Sequence, residues 1–320
     1  MIDSVTVRAP ARLHLGFLDL NGSLGRRFGG LGLAIDAYET RVTAKRAAEP
    51  SVQGVEVGRV GRILTQLSPV LGNAHCAISI DEAIPAHTGL GSGTQLALAI
   101  AAALHQLSGR AGGLSQYAPL TGRGARSGAG IGLFATGGFV VDGGHGPATD
   151  IPPILARATF PAAWRVILVA DPSQRGVSGP EEVDAFAALP QFPEEYAADI
   201  CRRVLMQVLP ALAEAHLPTF GAAISAIQVI IGDHFAPVQG GSRFKSRAVE
   251  ALLRDFAASG ANGIGQTSWG PTGFAFVADA GTAERLVAAA APKAAAMHLD
   301  VKICRGLNCG AMIEEHAARA

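Results

Sequence analysis

The segment Pro85-Ala86-His87-Thr88-Gly89-Leu90-Gly91-Ser92-Gly93-Thr94-Gln95 stands between two patterned runs. Before it, Cys76, Ile78 and Ile80 recur at every second position and predict a strand that ends at Pro85. After it, Gly91–Leu107 is strongly apolar, mostly Ala and Leu, and predicts a helix buried on most sides. Strand, glycine-rich turn and helix start together make an anion cradle. The first N–H groups of a helix lack intrahelical partners and carry the positive end of its dipole. Glycines let a phosphate approach them closely, and Ser92 and Thr94 add hydroxyl donors. The expected phosphate-binding set is His87, Thr88, Gly89, Leu90, Gly91, Ser92, Gly93 and Thr94. No Gly-Lys-Ser/Thr follows, so the loop is not of the Walker type.

Outward from this loop, Ser4–Arg8 and Arg12–Leu15 alternate as strands. Asp19-Leu20-Asn21-Gly22 has turn chemistry, and Gly32–Lys45 reads as a long strand. A helical stripe runs along Gly58–Leu71 through Val60, Ile63, Leu64, Leu67 and Leu71. A short helix is expected at Leu114–Arg123 and a strand at Gly138–Val141. The run Gly143–Pro153, rich in Gly and Pro, reads as a boundary between domains 1–150 and 151–320. In the second half, Arg165–Ala170, Thr272–Ala278 and Met297–Cys304 predict strands. Helices are expected at Pro180–Ala188, Pro193–His216, Pro218–Phe235, Ser246–Ser259 and Thr282–Ala291. Two groups of strands and helices make the class α+β in two domains.

The 320 residues carry 26 basic and 26 acidic side chains, a net charge of zero. No basic excess or stripe points to nucleic acid. Cys76, Cys201, Cys304 and Cys309 form no C-x-x-C pair and no zinc spacing, which suits free thiols in a reducing compartment. No basic segment followed by an apolar run opens the sequence, and Leu96–Leu104 is too short to span a bilayer. A soluble, cytoplasmic protein is the expectation.

The loop resembles Pro-x-x-x-Gly-Leu-Gly-Ser-Ser-Ala, the phosphate loop of the galactokinase, homoserine kinase, mevalonate kinase and phosphomevalonate kinase (GHMP) superfamily. Pro10-Ala11-Arg12-Leu13-His14-Leu15-Gly16 and Gly265-Gln266-Thr267-Ser268-Trp269-Gly270-Pro271-Thr272-Gly273 fall where that superfamily has further motifs. The resemblance implies a two-domain GHMP-kinase-like fold, with a ribosomal S5 domain 2-like N-terminal domain and a ferredoxin-like C-terminal domain. Two departures matter. Ser92-Gly93-Thr94 replaces Ser-Ser-Ala, and Arg123–Phe134 holds no carboxylate where many of those kinases place an Asp. Its two arginines, Arg123 and Arg126, suggest an anion instead.

Arg12-Leu13-His14, Asp19–Arg26, Gly29-Gly30, Arg126-Ser127-Gly128-x-Gly130, Phe134 with Gly137-Gly138-Phe139, and Gln266-x-Ser268-Trp269-Gly270-Pro271 resemble one branch more specifically, the β-ribofuranosylaminobenzene 5′-phosphate synthases. That resemblance implies condensation of phosphoribosyl diphosphate with 4-aminobenzoate or 4-hydroxybenzoate, with release of carbon dioxide and diphosphate, in methanopterin biosynthesis. It also implies Mg²⁺ carried with the diphosphate, and a homodimer.

The expected catalytic residues are Arg12, His14, Asp19 and Arg126. The expected substrate-binding residues are Arg26, Arg123, Ser127, Gln266, Ser268 and Trp269. Arg12 and His14 share one face of a strand. Arg123 and Arg126 either hold a phosphate or the benzoate carboxylate, or form ion pairs; if helical, they share a face. Asp19 either caps its own turn or helps hold a metal or a ribose hydroxyl. Trp269 either stacks on the aromatic substrate or packs in the core. Two rival readings remain at this point: an ATP-dependent small-molecule kinase, and a non-catalytic protein that binds a phosphorylated ligand.

Overall fold

The computed structural model describes residues 2–71, 75–109, 117–176 and 179–317. Two sheets carry the chain. The first is built on a long antiparallel pair, β1 (Ile2–Asp19) and β2 (Phe28–Arg46). The two runs read separately in the sequence, Ser4–Arg8 and Arg12–Leu15, belong to one strand. Pro10 stands between them, and the register shifts between Pro10 and Ala11, so the proline sits at a bulge where no ladder hydrogen bond is asked of it. The odd residues of β1 from Val5 to Phe17 face core: Val5, Val7 and Ala9 one cluster, Ala11, Leu13, Leu15 and Phe17 another. The opposite face is thereby left to Arg12 and His14.

Next come β3 (Ser51–Gly54), α1 (Val57–Leu71) and β4 (Cys76–Glu82), with β3 and β4 parallel. α2 (Ser92–Ser108) follows the glycine-rich loop and lies on β1 and β2. Leu96–Leu104 is buried on every side, which accounts for its unbroken apolar run. α3 (Ala129–Thr136) leads into β5 (Phe139–Asp142) and β6 (Ile154–Ala158), both paired into the first sheet.

The second sheet holds β7 (Arg165–Ala170), β8 (Asn262–Gln266), β9 (Thr272–Val277) and β10 (Asp300–Cys304) in the order β10-β7-β9-β8, all antiparallel. Between β7 and β8 run α4 (Pro180–Ala188), α5 (Glu194–Arg203), α6 (Leu209–Ala213), α7 (Leu217–Phe235) and α8 (Arg247–Ala258). α9 (Ala280–Ala296) joins β9 to β10. This β-α-β-β-α-β order is the expected ferredoxin-like arrangement. Both faces of this sheet are covered. Val166, Leu168, Phe274 and Phe276 face the core shared with β1, while Ile167, Val169, Ala275 and Val277 face α8 and α9. A last strand, β11 (Met312–Ala317), returns to pair with β1. β6 and β11 both follow residue 150 yet belong to the first sheet, so the two sheets do not divide there.

Other expectations need correction. Of the helix expected at 114–123, residues 114–116 lie outside the described residues. The remainder holds only a 3-10 turn, Pro119–Thr121, before Gly122 and Gly124 take φ of 66° and 91°. Arg123 and Arg126 therefore share no helix face. The helix expected over 193–216 is interrupted by a π-helical turn, Val204–Val208, just before Pro210, which has no N–H to give the ladder. α7 is long and apolar enough to cross a membrane, but Phe220, Ile224 and Ile227 are fully buried in the core.

Candidate functional site

The loop between β4 and α2 is held from three directions. Gly91 caps α2 at φ 87° with no side-chain partner. The N–H groups of Thr94 and Gln95 close on the Gly91 carbonyl, both at 3.1 Å. No partner for those of Ser92 and Gly93 is found among the described residues. Gly89 abuts the turn between β8 and β9: its carbonyl accepts from Thr267 Oγ1 at 2.9 Å, and a Cβ there would stand 2.9 Å from the Gly270 Cα. The Gly176 N–H donates to the His87 carbonyl at 2.7 Å. Of the segment Arg175–Gly179, Val177 and Ser178 lie outside the described residues. His87 is exposed at φ 60°, Thr88 Oγ1 donates to the Pro85 carbonyl, and Leu90 is a core side chain, so its part in a phosphate site is through its backbone.

Two arginines flank the loop. Arg12 donates through Nη1 to the Gly89 carbonyl at 2.7 Å. Burial lowers its pKa to about 10, with Glu182 opposing. The Arg123 guanidinium lies over Gly93, where an added Cβ would meet Nη1 at 2.9 Å. Its Nε is buried without a partner, and burial lowers its pKa too. An incompletely satisfied buried guanidinium beside free helix amides is a strong anion site, since charge-assisted bonds gain strength out of water.

Arg126 is placed differently. It pairs with Glu182 Oε2 at 2.5 Å and lies over the Phe186 ring at 5.2 Å. The field of Glu182 reaches Arg126, Arg12 and Arg123 together, yet burial outweighs them and raises its pKa. The stretch Arg123–Phe134 has no carboxylate of its own, but the fold supplies one from α4. Only the two acidic residues opening that helix hinted at it in the sequence.

A second carboxylate was missed as well. Asp142, at the end of β5, is fully buried. It accepts from Ser127 Oγ at 2.8 Å, Ala129 N at 3.0 Å and Gly144 N at 3.0 Å. Burial raises its pKa against these bonds. Ser127 is thus committed to Asp142. Gly30 makes room for the group: a Cβ there would collide with Ser127 Oγ, meet Asp142 Oδ2 at 2.7 Å and His14 Nε2 at 3.1 Å. His14 Nε2 is buried with no partner. Burial first, and Arg12 second, lower the His14 pKa to about 3, so the imidazole is neutral at neutral pH. Its backbone is fixed to the β8–β9 turn, where Thr267 Oγ1 accepts from His14 N at 2.9 Å and Ser268 N donates to His14 O at 3.2 Å.

The other expected residues spread outward. Asp19 Oδ1 accepts from the N–H groups of Asn21 and Gly22 at 2.7 and 2.9 Å, an Asx turn that caps its own backbone. Arg26 clamps the carbonyls of Gly143 and Gly144 at 2.8 and 2.7 Å. Gln266 ties β8 to its surroundings through Lys245 N, Gln239 and the Ser268 carbonyl. Ser268 takes φ 53° in the turn. Trp269 is buried, stacks on Phe186 with centroids 4.9 Å apart and planes at 16°, and leaves Nε1 without a partner. A narrow cleft is lined by His14, Phe17, Phe235, Arg243, Gln266 and Trp269, among others. Among the described residues, no group of three or more His, Cys, Asp or Glu could hold a metal ion.

Residues 58–138 match the family described as GHMP kinases N terminal domain. The chain is 35% identical over 296 residues to the beta-ribofuranosylphenol 5′-phosphate synthase of Archaeoglobus fulgidus, covering 87% of this chain and 90% of that one. It is 32% identical over 300 residues to the protein of the same name from Methanocaldococcus jannaschii, covering 84% and 88%. Among solved structures, the homoserine kinase of Cytophaga hutchinsonii superposes with a TM-score of 0.69 at 18% identity, covering 98% of both chains. The mevalonate diphosphate decarboxylase of Enterococcus faecalis superposes at 0.69 and 17%, covering 99% of this chain and all of that one. These two likenesses establish the fold alone.

Proposed function

The chain belongs to the β-ribofuranosylphenol 5′-phosphate synthase family, and on that premise we propose that it joins phosphoribosyl diphosphate to 4-hydroxybenzoate or 4-aminobenzoate, releasing carbon dioxide and diphosphate, as a step of methanopterin biosynthesis. In this reaction the bond from ribose C1 to diphosphate breaks and leaves an oxocarbenium-like centre. The ring carbon bearing the carboxylate forms a carbon–carbon bond to it, pushed by the para oxygen or nitrogen. The bond to the carboxylate then breaks, its electron pair restores aromaticity, and carbon dioxide departs. No proton is transferred at the ring carbon, and the released diphosphate takes one up from water at neutral pH.

The observation that carries the reading is the helix-start loop Gly89–Thr94 flanked by the half-buried Arg12 and Arg123, the second with a buried Nε that has no partner. They would stabilise the negative charge that develops on the departing diphosphate, a preorganised electrostatic contribution rather than an acid–base one. A neutral His14 suits a place beside a developing cation, because an imidazolium there would repel it. We also propose that Mg²⁺ arrives on phosphoribosyl diphosphate with phosphate oxygens as its main ligands, because the described residues gather no metal-binding set of their own. A homodimer in the cytoplasm completes the proposal.

The test is incubation with phosphoribosyl diphosphate, Mg²⁺ and each benzoate labelled in its carboxyl group. Labelled carbon dioxide is expected from at least one of them, and ATP should be neither needed nor hydrolysed. Formation of ADP that depends on a small alcohol, with no labelled carbon dioxide, would replace this reading with a kinase. Tight binding of phosphoribosyl diphosphate with no product would replace it with a binding protein.

A further inference from the structure

α4 presents Glu182 and Phe186, one helical turn apart, on its inner face. Glu182 places its carboxylate on Arg126 at 2.5 Å. Phe186 lies flat on Trp269, at 4.9 Å and 16°, and meets the edges or faces of Phe17, Phe28 and Phe235 at 6.0, 5.9 and 5.6 Å. The Arg126 guanidinium lies over the same ring at 5.2 Å. The walls of this aromatic box come from β1, β2, α7 and the β8–β9 turn, elements fixed in the core. Its occupant comes from a short surface helix whose outer residues Val183, Asp184, Ala187 and Ala188 are exposed. The Trp269 indole, 4% exposed, keeps its Nε1 unpaired, as a group awaiting a polar partner does.

A carboxylate on an arginine and a phenyl ring flat on an indole are the two halves of one molecule, an aromatic acid. We infer that Arg126 and Trp269 form the subsite for the aromatic acid, and that Glu182 and Phe186 of α4 fill it in the free chain. The inference rests on the proposed reaction for the identity of the acid, a flat benzoate with a hydrogen-bonding para group. When the acid enters, its carboxylate takes the Arg126 fork and its ring the Trp269 face, and α4 withdraws. Guanidinium binds carboxylate in a planar fork, and a ring over an indole adds stacking. A site that must first be vacated binds with an apparent affinity reduced by the fraction of molecules in which it is vacant. The free chain thus lowers its own affinity for the acid.

The experiment is calorimetry of 4-hydroxybenzoate with the full chain, with and without saturating inorganic diphosphate. Glu182→Gln and Phe186→Ala should each bind the acid more tightly than the wild type, by roughly tenfold where the filled state dominates. Arg126→Ala should lose roughly tenfold or more, while diphosphate affinity stays unchanged. If Phe186→Ala does not fold, Glu182→Gln decides alone. Unchanged or weaker binding by Glu182→Gln would make α4 part of the wall and overturn the inference. If labelled carbon dioxide is released during turnover yet Arg126→Ala binds the acid as the wild type does, the subsite lies elsewhere and only this inference falls. If no form binds the acid and no labelled carbon dioxide appears, the proposed reaction falls with it.

Discussion

The side chain of Arg12 crosses directly over Gly91. A Cβ on residue 91 would stand 2.8 Å from Arg12 Cγ and 3.1 Å from its Nε. The glycine is required twice, by its φ of 87° and by this approach. Gly91→Val should therefore displace Arg12 and close the helix start to phosphate. Affinity for phosphoribosyl diphosphate should fall by at least about tenfold, equivalent to ~1.4 kcal/mol. Calorimetry on a variant with native circular dichroism checks it, and unchanged affinity would remove the loop from the binding site.

Arg126→Lys keeps the charge but not the planar fork proposed to take the benzoate carboxylate. A hydrogen bond to a charged group contributes about 1.5–3 kcal/mol, so kcat/KM should fall by about one to two decades. The loss should appear in the KM for the benzoate rather than for phosphoribosyl diphosphate. Full activity in both Arg126→Lys and Arg126→Ala would reduce the residue to a structural ion-pair partner.

His14 gives stability a pH dependence of definite sign. Its pKa drops from the ordinary 6.5 to about 3 on folding, mainly through burial. Between those values the unfolded chain takes up a proton that the folded chain refuses. Its contribution to stability should therefore be constant above pH 6.5 and decline below it, by up to ~1.4 kcal/mol per pH unit. Urea unfolding of the wild type and His14→Gln at a series of pH values measures it. Parallel curves for the two proteins through this window would show that His14 is not the group responsible.

Gly30→Ala should destabilise the fold by about 1–3 kcal/mol through overpacking against Ser127, Asp142 and His14. Removing the nearest obstacle, in the double variant Gly30→Ala with Ser127→Ala, should recover part of that loss. Denaturant midpoints decide it: strictly additive effects would mean that the two side chains do not share one space.

Most of the framework was legible because period and turn chemistry are local. The loop at Gly89–Thr94, the Asx turn at Asp19 and the face shared by Arg12 and His14 follow from residues within one or two turns of each other. β8 was not read as a strand because Gly263 and Gly265 erase its alternation, although its sheet neighbour β9 was clear. The arginine pair failed for a local reason too, since Gly122 and Gly124 break the helix that would have aligned them. Glu182 and Asp142 were missed for another reason. Their own neighbourhoods do not show which groups they meet, and only tertiary packing brings one to Arg126 and the other to Ser127. Phe186 belongs to no motif in the sequence, and its stacking on Trp269 links residues far apart in the chain.

The pairing of β11 with β1 has a consequence for how the protein is made. Residues 2–8 are synthesised long before their partners at 312–317. Until then β1 is hydrogen-bonded only on its β2 side, and its outer row of N–H and C=O groups is an open template for other chains. Synthesis at roughly 5–20 residues per second leaves that edge bare for tens of seconds. The nascent chain therefore depends, until β11 is made, on whatever keeps one edge of its β1–β2 hairpin from pairing with a neighbour.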